Sequence, residues 1–273
     1  MSKSIRFIPL YFILIVMALI VLYPIIYVFL SSFMTPEEAA LYPPKLWPGS
    51  MYFGNISDVV DTVPIAAFIM NSFIVSTIVM AGQLITASMA AYAFTYISFV
   101  GRNVWFAIFL STMMVPWEVT IIPNYLTVRA WGWTDSYQGL TVPFFAAAFG
   151  VFLLRQYFMQ IPKELFEAAR MDGCGHARSF LWIVLPLARP ALATLAVYVF
   201  LNTWNSYLWP LLITNSETMR TVQIGISMLQ WEEFMSWNLV LAGVALILLP
   251  SLLLLLLGLK QLVRGITAGA VKG

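Results

Sequence analysis

The stretch EAARMDGCGHARSFLWIVLPLARP, from Glu167 to Pro190, decides how this chain is read. It carries charge and two closely spaced glycines, Gly173 and Gly175, between long apolar runs. The residues before it, QIPKELF, place Pro162 where a helix can begin, since the missing N–H costs nothing in the first turn. Glu164 follows at the end that favours negative charge. Ala168 and Ala169 are strong helix formers with almost no side chain. Gly173 and Gly175 permit a sharp turn. Phe180, Ile183, Val184 and Leu187 then recur at spacings of three and four, which predicts a second helix. Pro186 and Pro190 mark entry into the next apolar run. The expected shape is a helix, a glycine turn and a second helix, presenting a small alanine face beside a carboxylate. An amphipathic helix lying on lipid would account for such a segment. A docking element for a cytoplasmic partner accounts for it as well.

The surroundings fix where this unit sits. The chain has 273 residues, 61% hydrophobic and 10% charged, and its mean hydropathy is +0.88. Soluble domains are nearer half apolar and a quarter charged, so this is an integral membrane protein. A β-barrel would show short alternating segments. Continuous runs at 8–32, 66–97, 104–122, 139–159, 190–213 and 238–259 instead predict about six membrane helices. The run starting at Phe7 is too long for a signal-peptide core and is read as a retained span. In the interval 104–122, Pro116, Glu118 and Pro123 crowd the end.

Lys and Arg set the orientation. Lys3, Arg6, Arg102, Arg155, Lys163, Arg170, Arg178, Arg189, Lys260, Arg264 and Lys272 fall on one side, against Lys45, Arg129 and Arg220 on the other. The first side is therefore expected to be cytoplasmic, with both termini and the Glu167–Pro190 segment. The outer segments are 33–65, 123–138 and 214–237, the first holding the turn PPKLWPG. Three parts are expected: 1–65, a first span with an outer loop; 66–260, a core containing the 161–190 loop; and 261–273, a cytoplasmic tail.

The chain has one cysteine, Cys174, and one histidine, His176, and hence neither a disulfide framework nor a metal-ligand pattern. His176 reads as a polar loop contact. No GxxxxGK sequence followed by Ser or Thr is present, so ATP is not bound by that route. Ion-coupled carriers keep ionisable residues inside their spans, and these intervals hold essentially none apart from Glu118 and Arg155, each towards an end of its interval. Both observations favour a passive half driven by a separate motor over the alternative, an ion-coupled secondary carrier. Pathway candidates are the polar residues inside the spans: Asn71, with Ser72, Ser76 and Gln83, in the second, and Asn202 and Asn205, with Trp204, Tyr207 and Trp209, in the fifth. Amides offer both donors and acceptors, and aromatic faces cover apolar C–H surface. This suits a neutral polyol. Hydrogen bonding between helices is the commoner role for any one such residue. Gly82, Thr86 and Ala90 form a small-residue stripe expected to pack closely, with a partner subunit as one neighbour. Trp231, Trp237, Glu232 and Glu233 mark the last outer loop.

The Glu167–Pro190 stretch resembles the EAA loop of ABC importer permeases. It matches that pattern at Glu167, Ala168, Ala169, Asp172, Gly173, Phe180, Ile183, Leu185, Pro186 and Pro190, with Cys174 where the family usually has alanine. NSFIVSTIVMAGQLITASMAAYAF resembles the start of the permease core, WNSYLWPLLIT the fifth span of sugar-type permeases, and RGITAGAVKG the tail of the six-span maltose-type subunit. The resemblance covers most of the chain. It implies an all-α membrane protein of the type I ABC importer permease architecture, carrying a carbohydrate by alternating access. It implies that the loop is a coupling helix, with Glu167, Ala168, Ala169, Asp172 and Gly173 contacting the ATPase and Gly265 to Gly273 contributing more weakly. The implied partners are a homologous second permease, two ATPase subunits that hold ATP and Mg, and an extracytoplasmic binding protein. Membrane lipid surrounds the assembly, and no nucleic acid, metal or cofactor belongs to this chain. The implied location is the cytoplasmic (inner) membrane of a bacterium or archaeon, with no catalytic residues in this subunit.

Overall fold

The computed structural model describes residues 8–229 and 237–268, which are helical or irregular with no strand among them. Lys3, Arg6, Trp231, Glu232, Glu233 and the final residues of the tail lie outside the described residues. By length and composition, two helices can each cross a membrane, or up to five segments if each bent pair is one span. The helix Ile8–Ser31 is apolar on every side, and its membrane-length window buries nothing inside this chain. The helix Ile65–Tyr96 has 32 residues and a window 39% buried. The helix Trp237–Ala268, also 32 residues, runs on through 261–268, within the segment expected to be a tail.

Three expected spans are broken. The interval 104–122 is two helices, Arg102–Met114 and Trp117–Ala130, bent by 98°. Pro116 stands at the break in extended conformation (φ −60°, ψ 136°), and its ring removes a donor and blocks a continuous helix. The interval 139–159 becomes Tyr137–Phe144 and Ala148–Phe158, bent by 45°. The interval 190–213 divides into Arg189–Trp204 and Leu208–Ile213. Helical residues His176–Leu187 meet Arg189–Trp204 at 77°, with a π-helical turn at Phe180–Val184 just before Pro186. A π-turn and a proline are recognised causes of such bends.

The chain divides into two compact units. The first comprises Met1–Ala67 and Gly225–Pro250. Thr35 and Glu38 cap the Pro36–Ala39 helix reciprocally, which satisfies two backbone donors that a helix start leaves open. The Glu38 carboxylate also pairs with Lys45 and accepts the Gly49 N–H at 3.0 Å. These contacts order the PPKLWPG turn. The Lys45 hydrogen bond leads the causes that hold the Glu38 carboxyl below its usual range, against the opposing effect of desolvation. Asn55, fully buried, donates to the Ser32 and Met34 carbonyls at 2.9 and 2.7 Å and accepts from Asn238 Nδ2 at 2.8 Å. One amide thus joins three segments with its donors and its acceptor in use.

The second unit, Phe68–Ile224 and Ser251–Gly273, holds the core around Val79, Ala91, Leu154, Phe158, Leu195, Trp209 and Ile213. Gly82 is there because a Cβ would lie 2.3 Å from the Phe145 ring. The small-residue stripe therefore packs, at Gly82, against the broken segment of its own chain, and a partner subunit is not needed to explain that glycine. Thr86 donates to the Phe145 carbonyl and Gln83 Nε2 to the Phe144 carbonyl, the latter at 2.8 Å. Backbone groups freed by a helix break need such partners in a membrane.

Candidate translocation cavity and docking helix

The helix breaks converge. A cavity of about 510 Å³ in the second unit is lined by Trp117 from the first break, Phe144 and Ala147 from the second, and Asn205 and Ser206 from the third. Ser72, Gln83, Tyr198, Asn202, Thr203, Trp209 and Thr221 contribute further wall. Irregular backbone at membrane depth is tolerated where it lines a cavity, and the volume lies within the range of about 300–1,000 Å³ common for small-molecule sites. Trp209, 2% exposed, forms one wall. Its ring meets Trp117 and Phe144 edge-on, each at 5.7 Å, and its Nε1 donates to the Gly139 carbonyl at 3.0 Å. With its only polar atom occupied, Trp209 offers an apolar surface. Amides and hydroxyls make up the polar part, and no charged side chain lines the cavity among the described residues.

The expected pathway residues fall into two groups. Asn202, Asn205 and Trp209 line the cavity. Asn205 Nδ2 donates to the Leu201 carbonyl at 2.8 Å, which leaves its Oδ1 within 3.4 Å of Gln223 Nε2. Trp204 instead is buried and stacks on Phe200 at 5.9 Å. Tyr207 is half-buried at the third break, outside the lining set. Asn71 is 6% exposed. It donates to the Thr218 and Arg220 carbonyls and accepts the Tyr137 hydroxyl. Trp117 and Thr221 join the wall although sequence reading did not single them out. Trp117 follows a Pro that marks a break, which is the one legible signal; Thr221 carries none.

The Glu167–Pro190 region takes the form of a helix, Glu164–Met171, a left-handed Gly173 (φ +72°), and a second helical stretch from His176. The Cys174 N–H donates to the Ala169 carbonyl at 2.8 Å and the Gly173 N–H to Arg170 at 3.0 Å. These are the two bonds of a Schellman stop. Open space surrounds Gly173, so glycine is required there by φ and not by crowding. Glu167, Ala168, Asp172 and Gly173 are exposed, whereas Ala169 is 9% exposed and faces the body of the unit. Phe166 packs on Tyr96 at 4.3 Å between ring centroids, and the Tyr92 hydroxyl lies 3.2 Å from His176 Nδ1. These contacts seat the helix by one side and leave the other free. The free side adds Leu165 and Met171, 42% and 84% exposed. Sequence reading passed over them as ordinary helix positions. The exposed face thus combines the apolar Leu165, Ala168 and Met171 with the carboxylates of Glu167 and Asp172.

Comparison with known proteins agrees with this architecture. Residues 83–267 match the family model described as "Binding-protein-dependent transport system inner membrane component". The chain is 38% identical over 261 residues to the sn-glycerol-3-phosphate transport system permease protein UgpE of Pectobacterium atrosepticum, with 93% of each chain covered. It is 37% identical over 264 residues to the corresponding protein of Brucella melitensis, at the same coverage. Among solved structures it is similar to a chain of a bacterial ABC transporter involved in the import of the acidic polysaccharide alginate. The TM-score is 0.82 and the identity 26%, covering 95% of this chain and 98% of that one. With a family match over most of its length and a fold shared with an importer chain, the protein belongs to the family of binding-protein-dependent transport system inner membrane components, the permease subunits of ABC importers.

Proposed function

We propose that this chain is one of two permease halves of an ATP-driven importer that carries a sugar or polyol through the cavity described above. The second half is a homologous permease. Two ATPase subunits hold ATP and Mg, and an extracytoplasmic protein delivers the substrate. Six spans, with both termini and the Glu164–Met171 helix on the cytoplasmic side, satisfy the distribution of Lys and Arg. The observation that carries the reading is the exposed face of that helix on a chain without a nucleotide loop of its own. Closure of the ATPase pair moves the helix through Leu165, Glu167, Ala168, Met171 and Asp172. Phe166 and Tyr96 pass the movement to the end of the Ile65–Tyr96 helix. The cavity then faces outward beneath the docked binding protein, and inward after reopening.

The neutral lining favours a hydroxylated, uncharged moiety. A second reading, a phosphorylated polyol, is favoured by the names of the relatives at 37–38% identity. In that case the phosphate is met by groups outside this cavity wall. Glu167→Lys tests the docking role. With assembly of the complex intact, uptake and substrate-stimulated ATP hydrolysis fall about tenfold or more, as for loss of an interface anchor. Normal coupling in a normally assembled complex removes the docking role.

A further inference from the structure

Asn71 and Ser72, adjacent on the Ile65–Tyr96 helix, commit their side chains to one short segment. Asn71 Nδ2 donates to the Thr218 and Arg220 carbonyls at 2.8 and 2.9 Å. The Tyr137 hydroxyl, donating to Asn71 Oδ1 at 2.8 Å, fixes the amide's orientation. Ser72 Oγ accepts the Val222 N–H at 2.9 Å. Between the two fixed points stands Thr221, pinned by the carbonyl before it and the N–H after it. Thr221 is 4% exposed and lines the cavity, and its hydroxyl has no hydrogen-bond partner among the described residues. Buried polar groups in native structures nearly always have partners. Here two further buried polar side chains hold the unpaired one in place.

We propose that Thr221 is a specificity-determining contact for a hydroxyl group of the transported molecule, presented to the cavity by Asn71 and Ser72 as positioning residues. The proposal rests on the cavity reading given above. A threonine hydroxyl both donates and accepts, so it matches a sugar or polyol hydroxyl in either direction. The gain is large for its size because binding replaces an unsatisfied state and displaces no existing protein bond. Gln83, Asn202, Asn205 and Ser206 share the cavity and supply further neutral partners.

The test uses the complete complex in vesicles, with sn-glycerol 3-phosphate and maltotriose as probes. Thr221→Val keeps the shape and removes the hydroxyl; Thr221→Ser restores it. For a transported probe, Thr221→Val raises the KM of uptake about five- to tenfold, the size of one lost hydrogen bond. The maximal rate changes by less than about twofold on the same principle, and Thr221→Ser recovers most of the loss. Asn71→Asp, which lacks both donors, raises the KM in the same direction and adds little to Thr221→Val, because coupled residues are not additive. A wild-type KM in Thr221→Val overturns the proposal. So does a serine variant as impaired as the valine one, which marks the methyl group and not the hydroxyl as the contact. Uptake of neither probe by the unsubstituted complex defeats the substrate reading instead. Thr221→Cys in a Cys174→Ser background then decides the site alone: modification by a small methanethiosulfonate reagent during ATP-driven turnover supports it, and an unreactive thiol overturns it.

Discussion

Asp135 shows how much one side chain can organise here. It adopts a left-handed backbone (φ 52°), unusual outside glycine. Its N–H donates to the Ile213 carbonyl at 3.0 Å, and its carboxylate accepts the Asn215 and Ser216 N–H groups at 2.7 and 2.9 Å and the Ser216 hydroxyl at 3.1 Å. Desolvation pushes its pKa up, but these donors outweigh it and hold the carboxyl below the usual range. A depressed folded-state pKa contributes stability above the unfolded value, about 3.9, and that contribution is lost as the pH falls through the folded value. Asp135→Asn keeps the backbone tolerance and loses the charge. It lowers stability at pH 7 by about 1 kcal/mol after allowance for partial exposure. Thermal unfolding of the purified complex at pH 7 and near pH 3 checks this, since the gap between wild type and variant narrows at the lower pH. A constant gap rules out the charge. The sequence placed Asp135 in an outer segment, but nothing local names its partners, which lie about 80 positions away.

At the scale of elements, the interrupted helices carry the most information. The sequence marked Pro116 only as crowding the end of one expected span, and the chain breaks there by 98°. The breaks at 144–148 and 204–208 depend on tertiary partners, since Gln83 and Thr86 satisfy the carbonyls of one and Gly139 anchors Trp209 beside the other. Gly82→Ala forces its new Cβ into the Phe145 ring and moves the break that lines the cavity. It costs about 1–3 kcal/mol by overpacking and lowers uptake. Gly175→Ala meets no atom within 4 Å at an ordinary φ of −77° and serves as the control. Thermal stability of both purified complexes is the measurement, and equal melting points refute the Gly82–Phe145 contact. The Glu164–Met171 helix was the most legible element, because the alanines and Gly173 each act locally, although the helix begins two positions after Pro162. Its orientation was not legible: Ala169 faces inward and Leu165 and Met171 outward because Phe166 packs on Tyr96.

At the scale of the whole molecule, the importer proposal predicts an external motor in place of an ion gradient. Vesicles containing the complete complex take up substrate when supplied with ATP, and the rate is unaffected by an ionophore that collapses ion gradients. Uptake by this chain alone, driven by an ion gradient, overturns the importer reading in favour of a secondary carrier. The Ile8–Ser31 helix, apolar all round and with nothing buried in its membrane-length window, fits a surface covered by lipid or by the second permease.

Composition and local residue chemistry by themselves determined that the protein is helical, lies in a membrane, and carries a short helix, Glu164–Met171, closed by a glycine turn. These follow from apolar run length, propensity and backbone φ, which act within a few residues. The tertiary structure decided which polar residues face the cavity. Asn71 and Asn202 look alike in the sequence, both amides in apolar runs, yet one is saturated by distant backbone groups and the other lines the cavity wall. The physical reason is that a membrane interior supplies no water, so a polar group that is satisfied takes its partner from whatever the fold brings near. That choice depends on contacts up to about 150 residues away.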